Sequence, residues 1–240
     1  MTNPSLSPMY GPLENLPQRQ FTSARLKFEA AGTATSDVMY AFDTDIGLTK
    51  YQCISDRMSH DQHGQLIKWL DDSWAGRSQI APVFCWLLKP GHHLIETLKE
   101  KGFLGDCMGY VQLSVVDSTT VQLGAVIAKN AQGIGIATEA CCALIELAQG
   151  YKGVQAIQGV CHPKNERSVA LLSRLGFEKE GQTDVSSFPN YNGSEIGPVH
   201  QSPIDIWRLR RRQDGTWPLS PSFTPTSQDL NTTFTNPQTS

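Results

Sequence analysis

The run Asn130-Ala131-Gln132-Gly133-Ile134-Gly135-Ile136-Ala137 joins a segment of strand period to one of helical period. Glycine lets the backbone turn tightly and come close to a ligand. A helix that begins just after such a turn leaves the N–H groups of its first turn unpaired. They point at one spot, with the positive end of the helix dipole behind them. That chemistry suits a phosphate or pyrophosphate. The same residues also make an ordinary tight turn, and spacing by itself does not separate the two. There is no GxxxxGK[ST], and no GxGxxG after the first strand of a βαβ unit, so the two better-known phosphate loops are excluded. His162 is of a type that titrates near the working pH, which makes it a candidate base or, before Pro163, a surface histidine. Glu139 reads first as structural, and Asp117 and Asp184 are weaker candidates. His92 and His93 lack a third ligand in sequence reach, so no metal site is expected.

Several elements must position these residues. Arg25-Leu26-Lys27-Phe28 reads as a short strand, and Ser36 as the cap of a helix carrying Val38, Met39 and Ala41. Asp61 to Asp72 places Leu66, Ile67, Trp69 and Leu70 at helical spacing. Val83 to Leu88 reads as a buried strand, and Leu94 to Lys101 as a short helix stopped by Gly102. Gly109 to Val116 and Val121 to Ala128, joined by Asp117-Ser118-Thr119, read as an antiparallel hairpin. After the glycine turn a helix runs to about Gln149, with Ile136, Ala140, Leu144, Leu147 and Ala148 on one face and Gly150 as its C-cap. Val154 to Cys161 is a strand. Asn165 caps a helix from Glu166 to Leu175, which Gly176 ends. Phe177 to Gln182 and Ile204 to Leu209 are two more strands. The order predicts an α+β (α/β sandwich) fold with a mixed, mostly antiparallel sheet.

Composition narrows the classes. Of 240 residues, 39 % are hydrophobic and 18 % charged, so a packed core is within reach and a collagen-like or wholly disordered chain is excluded. A net charge of −3 argues against nucleic acid bound through a basic face, but not against a small anion held by amides. The six cysteines make no CxxC pair and read as reduced, buried thiols of a cytoplasmic protein. The opening MTNPSLSPMYGPLENLPQ lacks the regions of a secretory signal. No run approaches the ~18 apolar residues of a membrane span, so no membrane partner is expected. Residues 1–20, with Pro4, Pro8, Pro12 and Pro17, read as a flexible segment. Residues 214–240 are almost all Ser, Thr, Pro, Asn and Gln and read as a disordered tail. Residues 21–213 remain as one domain. No oligomer interface is readable from the chain.

Gln132-x-x-Gly135-x-Ala137 matches the Q/R-x-x-G-x-G/A acyl-CoA loop of the GNAT superfamily of N-acyltransferases. The run Cys161-His162-Pro163-Lys164-Asn165-Glu166-Arg167-Ser168, with Leu175-Gly176-Phe177 and Glu180-Gly181 downstream, resembles that superfamily's HPxNxxS and LGFxxEG segment. Thr22-Ser23-Ala24-Arg25-Leu26 resembles the opening TxRL strand of the branch that acetylates N-termini of ribosomal proteins and assorted small amines. The resemblance covers about residues 21–210. It implies a GNAT fold with helices on both faces, in which the fourth strand, Val121 to Ala128, splays from the fifth, Val154 to Cys161. It implies that the pantetheine arm of acetyl-CoA pairs with backbone at Val126, Ile127 and Ala128. Amides of Gln132, Gly133, Ile134, Gly135, Ile136, Ala137 and Thr138 would hold the pyrophosphate. Asn165 would touch the arm as well as cap its helix. Lys129, Arg167 and Arg174 are candidates for the phosphates or for solvated surface.

The reaction so implied is direct acyl transfer from acetyl-CoA, with no metal. An amine attacks the thioester carbonyl, an oxyanion forms and a thiolate leaves. Positioning supplies much of the acceleration. The amine must be neutral, so a base or water chain is useful. The oxyanion donor would be a backbone N–H near Ile127 or Ala128. The tyrosine that GNAT enzymes often use as proton donor has no counterpart between residues 152 and 190. Ser168, at the family's NxxS serine, takes that role, or else supports the first helical turn. The expected acceptor is a small-molecule amine or a peptide N-terminus. Alternatives are a hydroxyl acceptor, a longer acyl donor, or a CoA-binding protein without catalysis. The segments 89–108 and 184–203 depart from the family pattern where the acceptor pocket is shaped. Phe188, Asn190 and Tyr191 are candidate lining there.

Overall fold

The computed structural model describes residues 11–218, apart from residues 14, 50, 52–58 and 184–202. Asp184, Phe188, Asn190 and Tyr191 lie outside the described residues, as do residues 219–240 of the tail. The described strands are β1 (Gln20–Thr22), β2 (Leu26–Ala30), β3 (Val83–Pro90), β4 (Gly109–Val115), β5 (Thr120–Ile127), β6 (Ala156–Cys161), β7 (Glu178–Thr183) and β8 (Ile204–Arg210). The helices are α1 (Ser36–Asp43), α2 (Ile46–Thr49), α3 (His60–Trp74), α4 (Ile95–Glu100), α5 (Ile136–Gln149) and α6 (Glu166–Arg174). The strands form one mixed sheet in the order β1-β2-β3-β4-β5-β6-β8-β7.

β3 is apolar along most of its length, the mark of a strand covered on both faces. Its alternate residues serve two cores. Phe84, Trp86 and Leu88 pack with Ile136, Ala140, Leu144 and Ala148 of α5. Val83, Cys85 and Leu87 pack with Met39 of α1 and Leu66, Ile67 and Leu70 of α3. The expected sandwich, with helices on both faces, is the observed one.

Three local readings change. Ser36 is the first residue of α1 rather than its cap; Thr35 precedes it. The Thr35 hydroxyl is occupied behind the helix, accepting from Gly32 N–H and donating to Gly32 C=O, both at 3.0 Å. β1 and α2 were not expected, since three and four residues carry too little periodicity to read. Packing also reaches past residues 21–213. Leu13 is 3 % exposed in the α5-side core, and Trp217 packs on that core beneath the Arg211 guanidinium.

The pairing of β5 creates the feature that matters most. It runs antiparallel to β4 from Val121 opposite Val115 to Ile127 opposite Gly109. With β6 it pairs in parallel only from Thr120–Ala156 to Leu123–Gly159. β6 follows β8 onward to Cys161–Asp205. Beyond Leu123 and Gly159 the two strands keep different partners, and the sheet splays. Ala125 is exposed in mid-strand as a result.

Candidate functional site

The gap is lined by backbone whose direction follows from the ladder. Ala128 N–H donates to Met108 C=O at 2.8 Å, and Val116 N–H donates to Thr120 C=O at 2.9 Å. Antiparallel pairing alternates, so Gly124, Val126 and Ala128 turn their polar groups to β4, and Ala125 and Ile127 turn theirs to the gap. Of the two expected oxyanion donors, Ala128 N–H is therefore already used, and Ile127 N–H faces the opening. Of the three residues expected to pair with the arm, Val126, Ile127 and Ala128, only Ile127 turns its backbone polar groups to the gap, where those of Ala125 join it. Ile127 C=O accepts from the Gln132 side-chain amide at 2.8 Å. Val126 and Ile127 are themselves buried.

The glycine turn follows at once. A 3-10 turn, Lys129–Ala131, uses Gln132 N–H, which donates to Lys129 C=O at 3.3 Å. The Gln132 amide is thus used within the turn, while its side chain bridges Ile127 C=O and Arg167. Gly133 and Gly135 take φ of 83° and 82°, in the left-handed region. Gly135 is the N-cap of α5, and Glu139 is the first helical residue whose N–H finds a backbone carbonyl, that of Gly135 at 3.0 Å. The amides of Gly133 through Thr138 make no backbone hydrogen bond among the described residues. Successive free amides at a helix start form a concave anion site. No side-chain atom lies within 4 Å of where a Gly133 Cβ would stand, so the cradle is open.

α6 closes the other side. Asn165 is its N-cap, and its side chain accepts from Ser168 N–H at 3.3 Å. Arg167 donates to the Gln132 side-chain oxygen. Arg174 donates to the Thr138 hydroxyl at 3.3 Å. Both guanidiniums are thereby brought to the amide nest. Lys129 is exposed at its edge. Ser168 is half-buried in the first turn of α6, and its hydroxyl has no partner among the described residues.

The base candidates fare differently. His162 follows β6 at the splay, with the Tyr51 ring centred 5.5 Å away and tilted by 32°. Its Nδ1 accepts from Lys164 N–H at 3.1 Å. The neutral ring therefore carries its proton on Nε2, which makes it a donor rather than a ready base. Asp205 sits opposite Cys161 and is bound by Lys179 and Gln182, each at 2.8 Å. Burial pushes its carboxyl up, but those bonds and the Lys179 and His162 charges outweigh burial and hold it below the usual range. Asp117 lies before β5, at the far end from the gap, tied to Thr119. Glu139 is clamped by Ser23 and Arg25. His92 and His93 sit in a 3-10 turn, and no metal-holding cluster occurs among the described residues.

A second polar cluster, which sequence reading missed, lies in the α1–α3 core. Tyr110 OH donates to Asp43 Oδ1 at 2.6 Å, and His63 Nε2 lies 2.9 Å from Ser36 C=O. His63 Nδ1 and Asp43 Oδ2 face each other at 3.9 Å, both buried and without a hydrogen bond. Burial pushes the Asp43 carboxyl up, against the opposing pull of Tyr110 and His63. A raised carboxyl favours folding below its unfolded value of 3.8, and that advantage is lost as pH rises through the folded value. Asp43→Asn keeps the acceptor for Tyr110 and removes the ionisation. Melting curves are expected to show the variant more stable than wild type at pH 7, the gain disappearing toward pH 3. A constant difference across that range counts against the assignment.

A splayed parallel pair opening onto an amide nest at a helix start is the architecture of an acyl-CoA transferase. The family description "Acetyltransferase (GNAT) domain" fits residues 25–178, and the chain belongs to the GNAT acetyltransferase family. No curated protein sequence matches it. Among solved structures it is similar to a ribosomal L7/L12 alpha-N-protein acetyltransferase in complex with coenzyme A (13 % identity, 78 % of this chain and 95 % of that one, TM-score 0.56). It is similar also to the Salmonella typhimurium enzyme that modifies the N-terminal serine of ribosomal protein L7/L12 (13 %, 78 % and 96 %, TM-score 0.58). A third is spermidine N-acetyltransferase from Vibrio cholerae, in complex with CoA and spermine (15 %, 78 % and 96 %, TM-score 0.56). At these identities the likeness is one of fold.

Proposed function

We propose that the protein moves an acetyl group from acetyl-CoA to the primary amine of a small molecule or of a peptide N-terminus. The observation that carries this reading is the gap between β5 and β6, continuous with the unpaired amides of Gly133 through Thr138. The residues fit the donor: strand-like backbone at Ala125 and Ile127 for the amide-bearing arm, then an anion cradle, then Arg167 and Arg174 beside it. The solved relatives, one acting on a ribosomal protein N-terminus and one on spermidine, support an amine acceptor. Free, buried thiols support a reducing, cytoplasmic setting.

In this reading Ile127 N–H stabilises the oxyanion, as a preorganised donor needing no rearrangement. Water takes the amine proton, since the accepting nitrogen of His162 is occupied. His162 Nε2–H remains as a donor at the acceptor end. Ser168 passes its hydroxyl proton to the leaving thiolate and takes one back from the water that accepted the amine proton, so no net charge is left on the protein. The test of the activity is release of CoA thiol with a panel of amines, read together with product mass. Binding of acetyl-CoA without turnover of any amine would leave a CoA-binding protein instead.

Ser168 carries its own prediction. General-acid contributions run to about 10²–10⁴-fold, so Ser168→Ala is expected to lower kcat at least ~10-fold with little change in acetyl-CoA affinity. The Asn165 cap accepts from Ser168 backbone N–H, which alanine retains, so the melting temperature should hardly move. Full turnover in that variant removes Ser168 from the chemistry.

A further inference from the structure

We propose that Arg25, just before β2, is a positioning residue that aims the Gly135 amide and so sets affinity for the diphosphate of the donor; this rests on the loop reading above. The starting point is an electrostatic conflict. Glu139 lies in the first turn of α5, where a carboxylate competes with any anion held by the same helix end. It is turned away and almost fully buried instead. Its Oε1 accepts from Arg25 N–H and from the Ser23 hydroxyl, and its Oε2 from Arg25 Nε, all at 2.7 Å.

The same guanidinium reaches one residue further. Arg25 Nη1 donates to Ile134 C=O at 3.1 Å. A trans peptide is planar, with its C=O and the following N–H pointing in opposite directions. Holding Ile134 C=O from behind therefore turns Gly135 N–H to the front, among the other free amides. Gly135 lies directly against the fork: a Cβ there would stand 3.2 Å from Arg25 Nη2. The Arg25 backbone is itself tied down, since Gly91 N–H donates to its carbonyl at 2.7 Å. One planar fork thus neutralises the misplaced acid and sets the peptide plane. Lysine, a point charge on a flexible stem, cannot serve Glu139 and Ile134 together.

Two donors separate this from general damage. Acetyl-CoA carries the diphosphate, and S-acetylpantetheine keeps the arm and thioester without it. Affinity for each is measured by titration calorimetry, with kcat at saturating acetyl-CoA and the melting temperature on the same samples. Arg25→Lys and Glu139→Gln are each expected to weaken acetyl-CoA about tenfold, the scale of one charge-assisted hydrogen bond, while S-acetylpantetheine binds as before and kcat is kept. Ser23→Ala, which removes one of the bonds to Glu139, should show a smaller loss of the same kind. Glu139→Gln carries the sharpest sign. If charge alone mattered, losing an anion beside the site would tighten acetyl-CoA; the positioning role demands weaker binding. Tighter binding in that variant, or equal losses on both donors, overturns the proposal. Wild-type protein that binds both donors alike overturns the loop reading itself, and the role of Arg25 with it.

Discussion

Gly135→Asp is expected to abolish acetyl-CoA binding in a protein that still folds. Wild-type protein with acetyl-CoA at about 100 times its Kd should gain roughly 2.7 kcal/mol by mass action on the native state. For a domain of this size that is a rise in Tm of about 5–10 °C. The variant should show none. Its carboxylate would enter a nest of amides that requires an anion from outside, at a position whose φ of 82° aspartate adopts more readily than most side chains. The nearest obstacle to a new Cβ is the flexible end of Arg25, 3.2 Å away, so the fold is spared. The new carboxylate also competes for Arg25. Circular dichroism and the Tm without ligand are the controls. A ligand-induced shift that survives the substitution removes the loop from the donor site.

Gly109→Ala is expected to be the most damaging single methyl group in the described sheet. Gly109 has φ 140°, and a Cβ there would fall 2.0 Å from Val126 C=O and 2.9 Å from Ile127 Cα. Both neighbours are backbone, so neither can swing aside as a side chain would. Strain at such a conformation costs about 1–3 kcal/mol, and overpacking about as much again. A total near ~4 kcal/mol corresponds to a fall in Tm of about 8–16 °C. The displacement falls on the last residues of β5, which line the gap, so donor affinity should fall together with stability. An unchanged Tm would mean that β4 and β5 are not in the close contact described.

What the sequence made legible tracks how local the cause is. The two-core sheet was readable because apolar runs such as Val83 to Leu88 and the stripe of α5 state their burial directly. The tight turn before α5 was readable because glycines at 133 and 135 report a backbone that other residues adopt with difficulty. The splay was implied by family resemblance alone. It depends on where one parallel register stops, at Leu123–Gly159, and no local pattern encodes that. Glu139 was read as structural, but its partners Ser23 and Arg25 lie more than a hundred residues away in the chain. His162 shows a subtler limit. Its residue type suggested a base, whereas its tautomer is set by the neighbouring Lys164 N–H. The Asp43–His63–Tyr110 cluster left no signal, since its members stand on three separate elements, α1, α3 and β4, and only packing brings them together.

The short β5–β6 register has a mechanical consequence. It divides the sheet into a β1–β5 panel and a β6-β8-β7 panel, laced together by four residue pairs along one seam. Every other strand boundary except β1–β2 is laced over a longer register. A seam of that kind parts first when the structure breathes, and amides along it exchange with solvent sooner than those in either panel. A donor arm lying between Ala125 and Cys161 would act as the missing stitches. Substrate binding then becomes an act of completing the sheet, and the enzyme is most tightly laced at the moment it is loaded.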